Sequence, residues 1–339
     1  MDCVMENRNF LQLMAEMNVN TTSDAGMAPE NKTFYDRTLI EEAGPRLVHD
    51  QFGQKRPIPR NGGTEIEFRQ YARLPKALSA LTEGVTPDGQ KLSVSRKTAR
   101  VSQYGDYVCL SDMLDMTAID NNVLEATKAI GNQAGLTLDT ITRNVLQSGT
   151  NVYYCPKSDG TQPTDRSGLD KTCVLTVDVV KKVAALMKAK NTPKIGGDYV
   201  CILHPFVAYD LMSDPAWEDM HKYCAPGEQY AGEIGRVAGV RFVETSEAAI
   251  YRGTADGCPA DLAVFGCLFL GANAYGVTEI SGGGLQTIIK QRGSAGTADP
   301  LDQRSTVGWK ATKAAEILVE PYLMRVECTS AFSPNAEKN

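Results

Sequence analysis

The chain has 339 residues, 42% of them apolar and 22% charged, which is the balance of a soluble globular protein with room for two domains or one domain with a large insertion. Its formal net charge of −6 argues against the basic face of a dedicated nucleic-acid binder. Nine scattered cysteines with no Cys-x-x-Cys pair argue against a disulfide framework and for buried thiols in a reducing compartment.

Residues 1–30 are rich in Met and Asn and read as an arm with one weak helical turn. Asp2 stands where a signal peptide carries lysine or arginine, and no apolar run reaches bilayer length, so the chain is expected to fold and stay in the cytosol. From Thr33, Tyr35, Leu39, Ala43 and Leu47 recur every four residues, the spacing of an amphipathic helix, kinked or restarted at Gly44-Pro45. Residues 64–71 then alternate Ile66 and Phe68 with Glu65, Glu67 and Arg69, and residues 91–101 alternate Leu92 and Val94 with Ser93 and Ser95. These are the two arms of a long excursion whose tip reads Leu81-Thr-Glu-Gly-Val-Thr-Pro-Asp-Gly89. A two-stranded ribbon does not hold itself up in water. Its arms are strongly charged, so the expected cover is another chain.

A strand at 104–110 follows, and then apolar residues at three- and four-residue steps: Ile119, Val123, Ala126, Ile130, Ala134, Leu138, Ile141 and Val145. The pattern predicts one helix over 117–148, about 48 Å long at 1.5 Å per residue, capped by Ser111 or Thr117 and ended by Gly149. The small residues Ala126, Gly131, Ala134 and Gly135 would let another backbone approach. Residues 150–172 are turn-rich. A second unit follows: helix 177–190, buried strand 199–203, a helix started by His204-Pro205, a short helix over 228–237 and a strand at 240–244. Strand 261–270 and a meander of 274–280 and 285–290, turned at Gly282-Gly-Gly284, lead to strands 305–313 and 316–327 and a polar tail.

Catalytic constellations are sparse. His49 is placed in a helix, His204 at a strand end and His221 on a short helix, and no two stand at zinc-ligand spacing. His204 with Cys201 and Asp210 could form a nucleophile and base, against the simpler reading that His204 caps a turn. The Walker loop and Gly-x-Ser-x-Gly are absent, and Gly282-Gly-Gly284 lacks the strand–turn–helix setting of a dinucleotide fingerprint. Asp112 and Asp115 precede a helix, whose N-terminal dipole they complement, and Glu41 and Glu42 read as a solvated face. The basic groups Lys55-Arg56, Arg96-Lys97 with Arg100, and Lys290 with Arg292 read as solvated faces or intersubunit ion pairs before nucleic-acid contacts.

The segments Phe34-Tyr-Asp-Arg-Thr-Leu39, Leu81-Thr-Glu-Gly-Val-Thr-Pro-Asp-Gly89, Thr297-Ala-Asp-Pro-Leu-Asp-Gln-Arg304 and Ser305-Thr-Val-Gly-Trp-Lys-Ala-Thr312 resemble, in order, those of tailed-bacteriophage major capsid proteins, closest to the phage N-four-type coat proteins. The resemblance runs from about residue 33 to 328 and does not cover 157–170. It implies the α+β Johnson fold: N-terminal arm 1–55, extended β-ribbon loop 56–106, peripheral domain 107–149 and 283–332 with a long spine helix, axial domain 150–282, and tail 333–339. In that frame Leu81, Glu83, Val85, Pro87, Asp88 and Gly89 form the loop tip that laps a neighbouring subunit, and Ile119, Val123, Ile130, Ala134, Leu138 and Ile141 line the spine. The implied function is a shell subunit, not an enzyme, with no cofactor and no metal. It would assemble in the host bacterial cytoplasm into hexamers and pentamers of an icosahedral virion capsid. Its partners would be copies of itself, a separate scaffolding protein, a portal, decoration proteins and, by proximity alone, double-stranded DNA; no membrane is involved. Lys76, Lys91 and Lys97 lie in or near the loop, but none matches the lysine of crosslinking shells. Two alternatives stand beside this: an encapsulin-like compartment with enzyme cargo, and a cytosolic hydrolase built on Cys201 and His204.

Overall fold

The computed structural model describes residues 19–20, 48–71, 74–81, 83–86, 88–117, 122–221, 233–281, 284–294 and 296–339. The helix expected over 33–47, with Glu41 and Glu42, lies outside these residues, as does most of the N-terminal arm. Helices and strands are mixed, as expected of an α+β chain, and they divide into two units. The helix Asn122–Gln147 and the strand Arg304–Ile317 each contribute residues to both.

The larger unit takes in Pro45–Ser102, Leu138–Gly282 and Lys313–Asn339. Its seven-stranded sheet runs in the order Val152–Tyr154, Leu323–Cys328, Ala263–Leu270, Tyr199–Leu203, Val240–Glu244, Glu233–Val237, with Ile250–Arg252 also paired to Ala263–Leu270. The unbroken apolar runs of Ala263–Leu270 and Tyr199–Leu203 are buried at every position, the signature of central strands covered on both faces. On one face lies the helix Val177–Ala189, which buries Val179, Val180, Val183 and Met187 and is capped by the Thr176 hydroxyl, an acceptor for the Val179 N–H at 3.4 Å. On the other face Val200, Ile202, Leu268 and Leu270 meet Leu146 and Tyr275.

Two expectations for this unit are corrected. The segment read as a short helix ends as the strand Glu233–Val237, a hairpin with Val240–Glu244, and its residues 228–232 lie outside the described ones. Ala238 and Gly239 both have positive φ, 56° and 79°, which fits a two-residue turn that matches strand twist, and this local geometry outweighs the weak helical spacing. His49 sits in a turn, not a helix. The polar tail is docked: the Asn339 side chain accepts from the Ile250 N–H and the Arg143 guanidinium and donates to the Ser246 and Ala248 carbonyls.

The smaller unit includes Gln103–Thr137 and Gly283–Thr312. Its strands Ser102–Ser111, Arg304–Ile317 and Gln286–Lys290 pair side by side, with the short strand Val19–Asn20 parallel to Cys109–Leu110. The expected meander of 274–280 and 285–290 is overturned, and Gly282 and Gly283 of its expected turn lie outside the described residues. Tyr275–Thr278 pairs with residues 314–317 of the long strand and Gln286–Lys290 with residues 306–310, so the two do not form a meander. The two C-terminal strands expected at 305–313 and 316–327 are redrawn as the 14-residue strand Arg304–Ile317 and Leu323–Cys328.

The helix expected over 117–148 is described over Asn122–Gln147, with 118–121 outside the described residues, and a short helix, Asp112–Thr117, comes before it. Ser111 caps the short helix by accepting the Leu114 N–H at 3.3 Å, and Asn122–Gln147 spans about 39 Å. The Asn122 amide donates to the Leu114 carbonyl, eight residues back, at 3.4 Å. A methyl group at Gly131 or Gly135 would meet nothing within 4 Å, so among the described residues no backbone uses the close approach these two glycines allow.

Candidate assembly surfaces

The strands Glu65–Tyr71 and Val94–Arg100 form a separate antiparallel pair with Glu65 opposite Arg100, Phe68 opposite Lys97 and Tyr71 opposite Val94. Their alternation buries one side chain from each, Phe68 and Ala99, which join Ile58, Val101 and Ala314 in a small core. Phe68 lies so close to Gly276 that a Cβ there would come within 2.7 Å of the ring, so glycine is what lets the ribbon root. Arg56 stands over the same ring at 6.0 Å.

Beyond Tyr71 the ribbon leaves that core. Every described residue from 74 to 98 is exposed, Leu78 at 85%, Leu81 at 76% and Val85 at 63%, with Tyr71, Leu74, Leu92 and Val94 also open to water. Glu83, Asp88 and Gly89 are exposed with them, and Pro87 lies outside the described residues. Seven large apolar side chains gathered on one protruding segment exceed the scattered singles normal for a monomer surface. Charge is also divided along it. Residues 64–101 carry seven Arg and Lys against four Asp and Glu, yet between 77 and 90 the only charges are Glu83 and Asp88. The arms are therefore basic and the tip acidic. The ion pairs Arg69–Glu67 at 3.5 Å and Arg96–Glu67 at 4.0 Å are solvent-exposed and contribute little to holding the arms. Sequence reasoning singled out 81–89 and missed Leu74 and Leu78, whose spacing of four and three residues to Leu81 was the available signal.

Of the spine positions, Ile130, Ala134 and Leu138 are buried and Ile141 is half-buried; Val123 is in the helix and Ile119 lies outside the described residues. Sequence reasoning also missed a buried polar network around the later turns of this helix. His49 Nδ1 lies 2.7 Å from Asp139 Oδ2, and the His49 backbone N–H donates to Asp139 Oδ1 at 2.9 Å. Tyr275 donates its hydroxyl to the His49 carbonyl; burial raises its pKa. Lys313 pairs with Asp50 and donates to the Leu138 carbonyl at 2.8 Å, and Thr142 donates to Asp50 at 2.6 Å. The partners are 90 residues apart or more, and no local pattern announces them.

The nucleophile and base of the hydrolase alternative are not poised. Cys201 is fully buried, and burial pushes its thiol well up, away from the reactive thiolate. His204 caps the helix Pro205–Met212, its Nδ1 accepting the Phe206 N–H at 3.2 Å, and burial drives its pKa down to about 4. Asp210 accepts instead from the Ala331 N–H. Among the described residues no three His, Cys, Asp or Glu side chains converge as a metal set. Asp112 accepts from the next N–H at its helix start. Arg96, Lys97 and Arg100 lie exposed on the ribbon, as do Lys76 and Lys91 on either side of its tip, and Lys290 is exposed on the smaller unit.

Residues 95–322 match the family described as phage capsid protein. Among solved structures, the capsid of cyanophage P-SCSP1u is similar at a TM-score of 0.65 and 13% identity, over 88% of this chain and 93% of that one. The capsid of Ralstonia phage GP4 gives 0.65 and 15% over 94% and 100%, and the acid-stable capsid of Helicobacter pylori bacteriophage KHP30 gives 0.60 and 12% over 93% and 100%. At such identities the likeness is one of fold. No curated protein matches the chain.

Proposed function

Because the chain belongs to the phage capsid protein family, it is a structural protein of a phage head, and we propose that it builds the shell by lapping its ribbon over neighbouring copies of itself. Its α+β architecture is the Johnson-type capsid fold. In this reading the ribbon is the extended loop, Asn122–Gln147 the spine, and the seven-stranded sheet, drawn mostly from residues 150–282, the axial domain at the capsomer centre. Hexamers and pentamers of the subunit close an icosahedral shell around double-stranded DNA, with a separate scaffolding protein, a portal and decoration proteins as partners, assembled in the host cytoplasm. The role is geometric and needs no catalysis.

One observation carries the reading: a ribbon rooted by Phe68 presents seven apolar side chains that the described residues leave uncovered. Fully burying a Leu or Val side chain is worth about 1.5–3 kcal/mol, so covering the tip yields on the order of 10 kcal/mol before costs. Association costs about 4–15 kcal/mol in lost freedom. A single contact is therefore marginal, whereas a closed ring, in which the last contacts form intramolecularly, is stable. The test is deletion of residues 81–89, followed by size-exclusion chromatography and negative-stain microscopy. The shortened chain should melt like the full one and stay unassembled where the full chain forms shells; shells of normal yield would refute the ribbon's role.

A further inference from the structure

We propose that Cys155 and Cys328 are a latent disulfide pair, reduced while the chain folds and closed by a peroxide oxidant once the chain has left a reducing compartment. The setting, though not the chemistry, rests on the shell reading above: a subunit made in a reducing cytoplasm goes on to persist in a particle outside it. Three thiols stand in file across neighbouring strands of the seven-stranded sheet: Cys155 just beyond Val152–Tyr154, Cys328 at the end of Leu323–Cys328, and Cys267 within Ala263–Leu270. All three are free and fully buried, in the core that the helix Val177–Ala189 covers. Register separates the two possible pairings. Cys328 Sγ lies 3.8 Å from Cys267 Sγ, but Cys328 is opposite Phe265 and Cys267 opposite Val326, so these two are diagonal neighbours. Diagonal Cα atoms stand about 7–8 Å apart, too far for a disulfide without backbone movement. Cys155 is placed differently. The parallel pairing sets Tyr154 opposite Glu327 and continues by one more bond, from the Cys155 N–H to the Glu327 carbonyl at 3.0 Å, which brings Cys155 level with Cys328. Neighbouring strands are about 4.8 Å apart, inside the Cα separation of about 4.4–6.8 Å that a disulfide accepts.

Access comes from the edge of the sheet. Val152–Tyr154 is its outer strand, half-buried at all three positions, and the chain runs from it into the exposed turns of 158–162. Opening such an edge costs far less than unfolding the unit. In the closed sheet the hydrogen bond with Cys155 holds the Cys328 thiol well above its ordinary pKa, and the sulfur is inert. Opened, it can ionise. With hydrogen peroxide, the Cys328 thiolate attacks one oxygen, the O–O bond breaks, and the departing hydroxide takes up the thiol proton as water. The Cys155 sulfur then displaces the remaining oxygen from the Cys328 sulfenic acid, and its own proton leaves with that oxygen as a second water. Two thiols and one peroxide thus give one disulfide and two waters. The new bond ties the edge strand to the strand before the C-terminal tail and closes a loop of about 170 residues that holds most of the larger unit's sheet.

Peptide mapping of the full chain, assembled or not, tests this. Protein purified under reductant is held in dilute hydrogen peroxide, alkylated under denaturing conditions and digested with trypsin, which places Cys155 and Cys328 on separate peptides. The two peptides should be recovered linked, with a melting temperature raised by about 5 °C or more, and dithiothreitol should remove both effects. Cys267→Ala should keep the link and the gain, and Cys155→Ala should lose them. Absence of the linked peptide, or Cys328 recovered as sulfinic acid in its place, overturns the proposal, as does an equal reversible gain in Cys155→Ala. Should Cys155→Ala fail to fold, the parent's peptide map decides alone. A missing link in chains that still form shells refutes the pair and leaves assembly standing; a link in chains that form no shells upholds the pair and refutes the shell reading.

Discussion

Glu327 is fully buried and bonded through both oxygens to Arg166, at 2.6 and 2.7 Å, with Arg325 Nε 2.9 Å from the same carboxylate. Burial alone would lower the Arg166 pKa, and its bonds to Glu327 more than reverse this. Glu327→Gln should therefore destabilise the larger unit by about 3–5 kcal/mol in denaturant melts, because the arginines are left without a counter-charge. His204 gives a pH signature. Its folded pKa of about 4 lies below the ordinary 6.5, so the unfolded chain binds the proton more readily between those values. The neutral-state stabilisation is complete above pH 6.5 and is lost as pH falls towards 4, a change of about 3 kcal/mol. His204→Asn keeps a capping side chain and removes the titration; it should flatten stability against pH over that window. At this scale the sequence was readable where the role was local. The His204 cap followed from His-Pro at a strand end, while Glu327 meeting Arg166 across 161 residues had no local sign.

The ribbon shows how an element can be legible while its environment is not. Alternation of Ile66 and Phe68 announced the strand, but only Gly276, more than 200 residues away, explains why Phe68 roots it. Phe68→Ala should cost about 3–5 kcal/mol locally and raise amide exchange across Glu65–Tyr71 and Val94–Arg100, leaving Ala263–Leu270 protected. Unchanged exchange in the ribbon would mean that the arms hold themselves. Elements governed by turn chemistry were misread: a bulge at Gly235 and the Ala238-Gly239 turn make a hairpin from a segment whose spacing suggested a helix. The long strand Arg304–Ile317 was cut in two because its run of small residues, Ala311, Ala314 and Ala315 around Lys313, hides the alternation, although Lys313 is buried by its pairing with Asp50.

Across the whole molecule charge is unevenly spread. Residues 64–101 sum to +3 within a chain of −6, so the remainder is −9. Opposite signs on the ribbon and the body favour head-to-tail contact between copies and should make assembly weaken as salt rises. Trypsin offers a direct readout. Lys76 and Lys91 are exposed, and cleavage after each should be rapid in unassembled subunits and at least tenfold slower in shells, as followed by mass spectrometry. Equal rates in both states would place the loop outside the contacts.

The uncovered leucines at the ribbon tip also set a race. A subunit waiting alone has its oiliest stretch as its most accessible one, so any two subunits can stick wrongly as readily as a growing rim can recruit them. Which event wins depends on supply: slow delivery to many open rims yields shells, and a surge of newly made subunits yields amorphous clumps. Expression rate, and not only affinity, then becomes a determinant of how many heads are finished.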